Sequence, residues 1–332
     1  LLLTIVIGLV LSFKLSQFPA EPIPDADATF FEAMAVNLSG GGGFGVLWNE
    51  TLLEPYRHLP EVYESLSAGR YRIELQDLGV DSPATTYRPP LYPLILSTLY
   101  KCTGRSFTAV RYLNLGILLI GYFLILGKLR TMFGRRPMVA GALICAADET
   151  SSHFVLLALS ETLAFLVVSS LVCLGIGKIT IKSSGLLGLT SALGALSRTF
   201  ITLWIPFLAL YVWLKAPKNI SFLYLLSFLF LSISVQIPWW YRNTVLLERF
   251  EPLGSQGGIV LGSLYSGDPV AKWGNWTATA HSDFLRDNRS GLRGLVRERE
   301  ISLIGKKLAW IWLKEHYLLF PTLVFKRILS FW

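Results

Sequence analysis

Three short connections in the chain carry lysine and arginine and no acid: Lys128, Arg130, Arg135 and Arg136 in the first, Lys178 and Lys182 in the second, Lys215 and Lys218 in the third. They join or flank apolar runs at about 107–127, 137–159, 161–177, 185–196, 200–214 and 220–237. Basic residues in short loops between apolar runs mark the cytoplasmic side of a membrane protein. The rest of the composition agrees, since 52% hydrophobic residues with 16% charged ones and a mean hydropathy of +0.51 are too apolar for a water-soluble domain of this length. The net charge of +8 sits largely in those topology-setting loops and not on a soluble basic face, so no nucleic-acid partner is expected.

The apolar stretch Leu1–Leu15 is shorter than the roughly 20 residues that a span needs, and it reads as a truncated first helix. With the six runs above it makes seven spans. Alternation then places two polar stretches on the same extracytoplasmic face. The first is 18–105, with eleven acids between Glu21 and Asp81, and the second is 238–316. The expected fold is an all-α polytopic membrane protein: a transmembrane helix bundle over 1–237 that includes the first outer loop with its juxtamembrane helices, a second outer loop, and the start of a C-terminal membrane region at 317–332. Leu1 in place of an initiator Met, and an apolar run opening at the last residues, read as a piece of a longer chain. Cys102, Cys145 and Cys173 have no CxxC or Cys/His spacing and read as buried structural thiols.

The candidate chemistry begins after the first apolar stretch. Asp25 and Asp27 precede a helical pattern in which Phe30, Phe31, Met34, Ala35 and Leu38 form an apolar stripe, and Gly40–Gly43 close it. The stripe predicts a helix lying on the membrane with its acids facing water. Asp27 is placed either to cap that helix or to act as a base. The two carboxylates are candidates to share a divalent cation, although two oxygen ligands alone do not define a metal site. No other cofactor is read from the chain. Arg88 precedes Pro89 and Pro90, which fix it near headgroup depth, where a guanidinium either snorkels or captures a phosphate. Asp148, Glu149, Glu161 and His153 are ionisable groups within apolar runs and are candidate cavity-lining residues, with Glu161 in LSETL also suited to a helix start. Arg198 and Arg242 fall at outer ends of spans and are candidates to meet an anionic ligand. The charged segment 291–313 reads either as a helix on the membrane surface or as a solvated one.

Taken in order, these segments carry a resemblance: DxxxFxxxAxxL from Asp27, a Gly-Gly-Phe exit, RPPLYPLIL from Arg88, AVRYLNLGILL, FGRR, LSETL, a glycine-rich run ending in LSR, and PWWYRN. The set resembles the polyprenyl-phosphate-sugar-dependent glycosyltransferases of the C superfold (GT-C), which include the protein O-mannosyltransferases and the lipid A aminoarabinose transferase. It extends to about Gly267. The resemblance implies an integral membrane glycosyltransferase that moves a sugar from a polyprenyl-phosphate donor to a lipid, glycan or protein acceptor on the periplasmic or lumenal face, with a bacterial inner membrane as the expected location. It implies that Asp27 is the catalytic carboxylate and that Arg88 holds the donor phosphate, with Arg198 and Arg242 as further phosphate ligands. Family members often carry a second acid directly after that Asp; here the position is Ala28, and Asp25, two residues before Asp27, is the second catalytic candidate. The competing class is a polytopic transporter or lipid flippase, for which Asp148, Glu149 and His153 would line a path; a noncatalytic subunit of a glycan-assembly complex is a third.

Overall fold

A computed structural model describes residues 2–16, 26–46, 54–57, 84–273, 283–284, 287, 292 and 294–330. Among them every regular element is an α-helix or a 3-10 turn, and no β-strand forms. The chain divides into two compact units, Leu1–Gly40 with Pro89–Trp239, and Gly41–Arg88 with Trp240–Trp332.

The first unit holds α1 (Leu2–Ser16), α2 (Ala26–Ser39), α3 (Leu91–Thr103), α4 (Phe107–Phe133), α5 (Arg135–Ala147), α6 (Glu149–Leu156), α7 (Glu161–Gly175), α8 (Ile181–Ser197), a 3-10 segment Thr199–Trp204 that continues as α9 (Ile205–Lys215), and α10 (Ser221–Ser234). Local chemistry sets the boundaries. Ser106 starts α4 by accepting the Ala109 amide at 3.2 Å, and Gly134 ends it in a left-handed conformation with its amide on the Arg130 carbonyl. Thr180 and Ser183 form a reciprocal capping box at the start of α8, satisfying amides that the helix itself leaves without partners.

Its 27 residues make α4 about 40 Å long, and it is the one described helix both long and apolar enough to cross a bilayer by itself. α10 and α11 (Ile237–Leu247) pass the same test only when taken together, and α7 and the segment 199–215 are apolar but shorter. Seven runs thus give fewer full-length helices, for local reasons. The 137–159 run is cut at Asp148, whose carboxylate caps α6 and accepts the Thr150 amide at 3.1 Å. The 200–214 run opens as 3-10 turn rather than α-helix.

α4 is the spine of this unit. One apolar cluster joins Val110 and Ile117 to Tyr92 and Leu96 of α3 and to Leu159 and Leu163. A second joins Leu118, Tyr122 and Leu126 to Ile7 and Leu11 of α1 and Ala142 of α5. Beyond it, α8 and α10 meet through small residues. A Cβ on Gly188 would lie 2.2 Å from the Phe228 carbonyl oxygen, and the Ser184 hydroxyl donates to the Tyr224 carbonyl at 2.6 Å. The contact is thus made by close backbone approach and a side-chain-to-backbone hydrogen bond. α9 and α10 are also apolar on their outer faces: Phe207, Leu214, Phe222 and Phe230 are 73%, 71%, 63% and 65% exposed. Val212 and Phe228 on the same helices are fully buried. These two helices are thus apolar on their outer as well as their inner faces.

The second unit contains a 3-10 turn at Glu54–Tyr56, most of α11, α12 (Gln256–Tyr265), α13 (Gly294–Glu315), a 3-10 turn at Tyr317–Leu319 and α14 (Phe320–Ser330). α12 and α13 cross closely enough that a Cβ on Gly305 would sit 1.9 Å from the Gly258 carbonyl oxygen. α13 is therefore packed along one face, with Arg297, Glu298, Ile301, Ser302 and Ala309 buried, and is not a fully solvated helix. Glu251, before α12, is buried and accepts from Lys306 of α13 at 2.7 Å and pairs with Arg249 at 2.6 Å. The Thr85 amide donates to the Phe44 carbonyl at 2.7 Å, bringing the two ends of the 44–85 stretch to one point.

Two further expectations change. α2 does not present Glu32 to water: every residue from Ala28 to Ala35 is buried while Asp27 is half-buried, and Glu32 is clasped by Arg105, Nε to Oε1 at 2.6 Å and Nη2 to Oε2 at 2.9 Å. Burial pushes the Glu32 carboxyl up, and the Arg105 charge opposes that push. Cys102 is exposed rather than buried, since it lies in the last turn of α3, just ahead of Gly104.

Candidate functional site

The site of the first unit is built outward from Asn114. This α4 residue is fully buried, and its side chain uses both ends. Its oxygen accepts from the Tyr92 hydroxyl at 3.0 Å and from the Thr162 hydroxyl at 3.3 Å, while its nitrogen donates to the Leu157 carbonyl at 2.7 Å. One amide therefore fixes α3, the start of α7 and the 156–160 connection to α4. Arg111, one turn earlier and also buried, reaches the Leu156 carbonyl at 3.4 Å. The connection that delivers Ser160 and Glu161 is held from two points.

Glu161 opens α7 and forms an ion pair with Arg198, which stands between α8 and the following 3-10 segment. Arg198 Nε also donates to the Ser160 hydroxyl at 3.1 Å. Glu161 and Arg198 line a cavity of about 290 Å³, together with Phe154, Thr162, Phe165 and Phe200 among others. The Glu161 Oε2 oxygen is buried with no hydrogen-bond partner among the described residues. Asp27 lies in the first turn of α2. Its helix is docked on α3, with Phe31 edge-on to Tyr92 at 5.6 Å between ring centroids, and its charge acts on Glu161. The fold thus sets the Glu161–Arg198 pair at a mostly apolar cavity, with Asp27 near enough for its charge to act on Glu161 but not among the cavity's described lining residues.

The other residues expected from the sequence fall elsewhere. Asp148 caps α6, and His153 is exposed beside Phe154; neither is among the cavity's described lining residues. Glu149 begins α6, and its side chain lies outside the description, as does Asp25 altogether. Gly40–Gly43 are exposed, and around Gly41 there is open space where a side chain would be. Among the described residues no three His, Cys, Asp or Glu side chains gather to hold a metal ion.

Arg88 and Arg242 belong to the second unit. The Arg88 guanidinium lies 4.8 Å from the centroid of the buried Tyr87 ring, within cation–π distance. Arg242 donates to two backbone carbonyls, Nη1 to Thr85 and Nη2 to Phe44, each at 3.0 Å. Those bonds make it a fastener of the 44–85 closure. The acid beside them is one that the sequence reading missed. Glu298 is fully buried, accepts from Thr85, Thr86 and Ser255, and lies near enough to act on the Arg242 charge. In the sequence it belongs to RERE, a pattern that resembles a solvated helix face.

The chain matches no protein-family model, no curated protein and no solved structure.

Proposed function

We propose that the protein is a multi-pass membrane glycosyltransferase that moves a sugar from a polyprenyl-phosphate donor to an acceptor on the extracytoplasmic face. The observation that carries this reading is the Glu161–Arg198 pair at a cavity in an apolar helical body, with the Asp27 charge acting on Glu161. The outward apolar faces of α9 and α10 support a lipid surround, and the small-residue contact of α8 with α10 is the packing that such a surround favours. In the reaction the acceptor hydroxyl or amine gives its proton to the Asp27 carboxylate as its oxygen or nitrogen bonds to the anomeric carbon. The bond from that carbon to the phosphate oxygen breaks on the opposite side, and the leaving polyprenyl phosphate takes the electron pair. A single displacement inverts the sugar. Arg198 stabilises the growing negative charge, an electrostatic contribution that commonly outweighs others. Arg88, in the second unit, is assigned to the donor phosphate on the sequence resemblance alone.

Substitution tests the base. Asp27→Asn should lower turnover at least about 10²-fold, the low end for a positioned base, with donor binding and thermal stability kept. Normal turnover in Asp27→Asn together with a dead Asp25→Asn moves the assignment to Asp25. Normal turnover in both removes the base mechanism. The transporter or flippase reading has less support, because Asp148 caps a helix and His153 lies on the surface.

A further inference from the structure

Four donors close on the buried carboxylate of Glu298. Thr85 Oγ1 donates to Oε2 at 2.7 Å; the Thr86 amide, the Thr86 hydroxyl and the Ser255 hydroxyl donate to Oε1 at 2.9, 2.5 and 2.6 Å. Three of the four come from two consecutive residues, so the acid grips one short piece of backbone. The grip is passed along the chain. Thr85 Oγ1 also accepts the Tyr87 amide at 3.1 Å, Tyr87 is buried, and its ring carries the Arg88 guanidinium. The same segment is held by Arg242 through the Thr85 carbonyl and by Gly254, whose φ of +78° and missing Cβ admit the Thr86 carbonyl oxygen to what would be 2.1 Å.

A buried acid is a costly way to hold a loop, and an apolar side chain would fill the space as well. What the carboxylate adds is directional: several convergent donors fix the segment in one backbone conformation. The residue that leaves this fixed segment is Arg88, followed by Pro89 and Pro90, which restrict the chain further.

We propose that Glu298 is a positioning residue that acts through Thr85 and Thr86 to present the Arg88 guanidinium to the phosphate of an anionic polyprenyl lipid. The inference rests on the reading of Arg88 as a donor-phosphate ligand. Its test uses the full chain in lipid nanodiscs, titrated with a polyprenyl phosphate as the probe. Glu298→Ala should weaken binding about tenfold, and Glu298→Gln, which keeps a carbonyl acceptor for the Thr86 amide, should recover most of the loss. Glu298→Ala combined with Arg88→Ala should bind no more weakly than Arg88→Ala alone, because both changes remove one interaction. Thr85→Val deletes the link at nearly constant volume and should show the same coupling to Arg88→Ala, which decides the matter if Glu298→Ala does not fold. Additive losses, or wild-type binding in Glu298→Ala or in Thr85→Val, overturn the positioning role alone. Absence of polyprenyl-phosphate binding by the wild-type protein overturns the donor reading and this inference together.

Discussion

Thr85 and Glu298 stand 213 residues apart in the chain, and the hydroxyl of one donates to the carboxylate of the other at 2.7 Å. The closure of the second unit therefore depends on an acid shielded from water. Burial pushes the Glu298 carboxyl above its ordinary value, while the donors from Ser255, Thr86 and Thr85 pull it back; Arg242 is a charged neighbour. A carboxyl raised in the folded state binds its proton more tightly there than in the unfolded chain. Its contribution is full below the unfolded pKa and is lost as pH rises through the folded one. The unfolding midpoint of the wild-type protein should thus carry a component that falls as pH rises from the ordinary carboxylate range. Glu298→Gln, neutral at every pH, should lack it. Parallel pH profiles for the two proteins would refute this assignment.

Removing the Arg198 guanidinium leaves Glu161 and Asp27 as two acids without the cation between helix ends. Arg198→Ala should lower turnover by about 10²-fold or more, the scale seen when one charge-stabilising donor is lost. Arg198→Lys should restore part of it, since a point charge replaces a fork that reaches Ser160 and Glu161 together. Steady-state transfer assays at saturating donor measure both, and equal activity in Arg198→Ala and wild type takes Arg198 out of the site.

Asn114 fixes three segments with one amide, so its loss orphans several buried groups at once. Asn114→Ala should destabilise the protein by about 2–4 kcal/mol, with turnover falling because Ser160 and Glu161 lose their anchor. Thermal unfolding in detergent reads the first effect. A change under about 0.5 kcal/mol, the size of an ordinary surface substitution, would show that the network is redundant.

Topology is testable with a native thiol. Cys102 is exposed at the end of α3, on the segment expected outside, and Thr131 is exposed near the end of α4, on a basic connection expected inside. In cells, a membrane-impermeant thiol reagent should label Cys102 in a background lacking the other two cysteines. It should not label Thr131→Cys in a cysteine-free background until the membrane is opened. Labelling of both from outside contradicts the alternation.

Much of the helical frame is legible locally. The apolar runs, the basic turns and LSETL place α4, α7, α8 and α10 to within a few residues, because period and capping are properties of neighbouring residues. Asp148 could have been read the same way, as an Asp two residues before a threonine at the head of a short helix. Arg198 and Glu161 were both visible as charges at run ends, but their pairing needed α7 and α8 side by side. Glu32 resembled the polar face of α2 because its partner, Arg105, is 73 residues away; the surrounding apolar residues on both sides were the available signal. Asn114 is one polar residue in an apolar run, and only the fold shows that it touches Tyr92, Thr162 and Leu157 together.

The hydrogen bond from the Thr85 amide to the Phe44 carbonyl has a bearing on how this protein can diversify. The chain departs and returns through one point, fastened there by Arg242 and Glu298, so the residues between those ends form a closed excursion. The entropy of closing such an excursion grows only with the logarithm of its length, about 0.6 kcal/mol for a doubling. What a lineage must keep is therefore the mooring itself, Phe44 and Thr85 with Arg242 and Glu298, whose loss releases both ends at once.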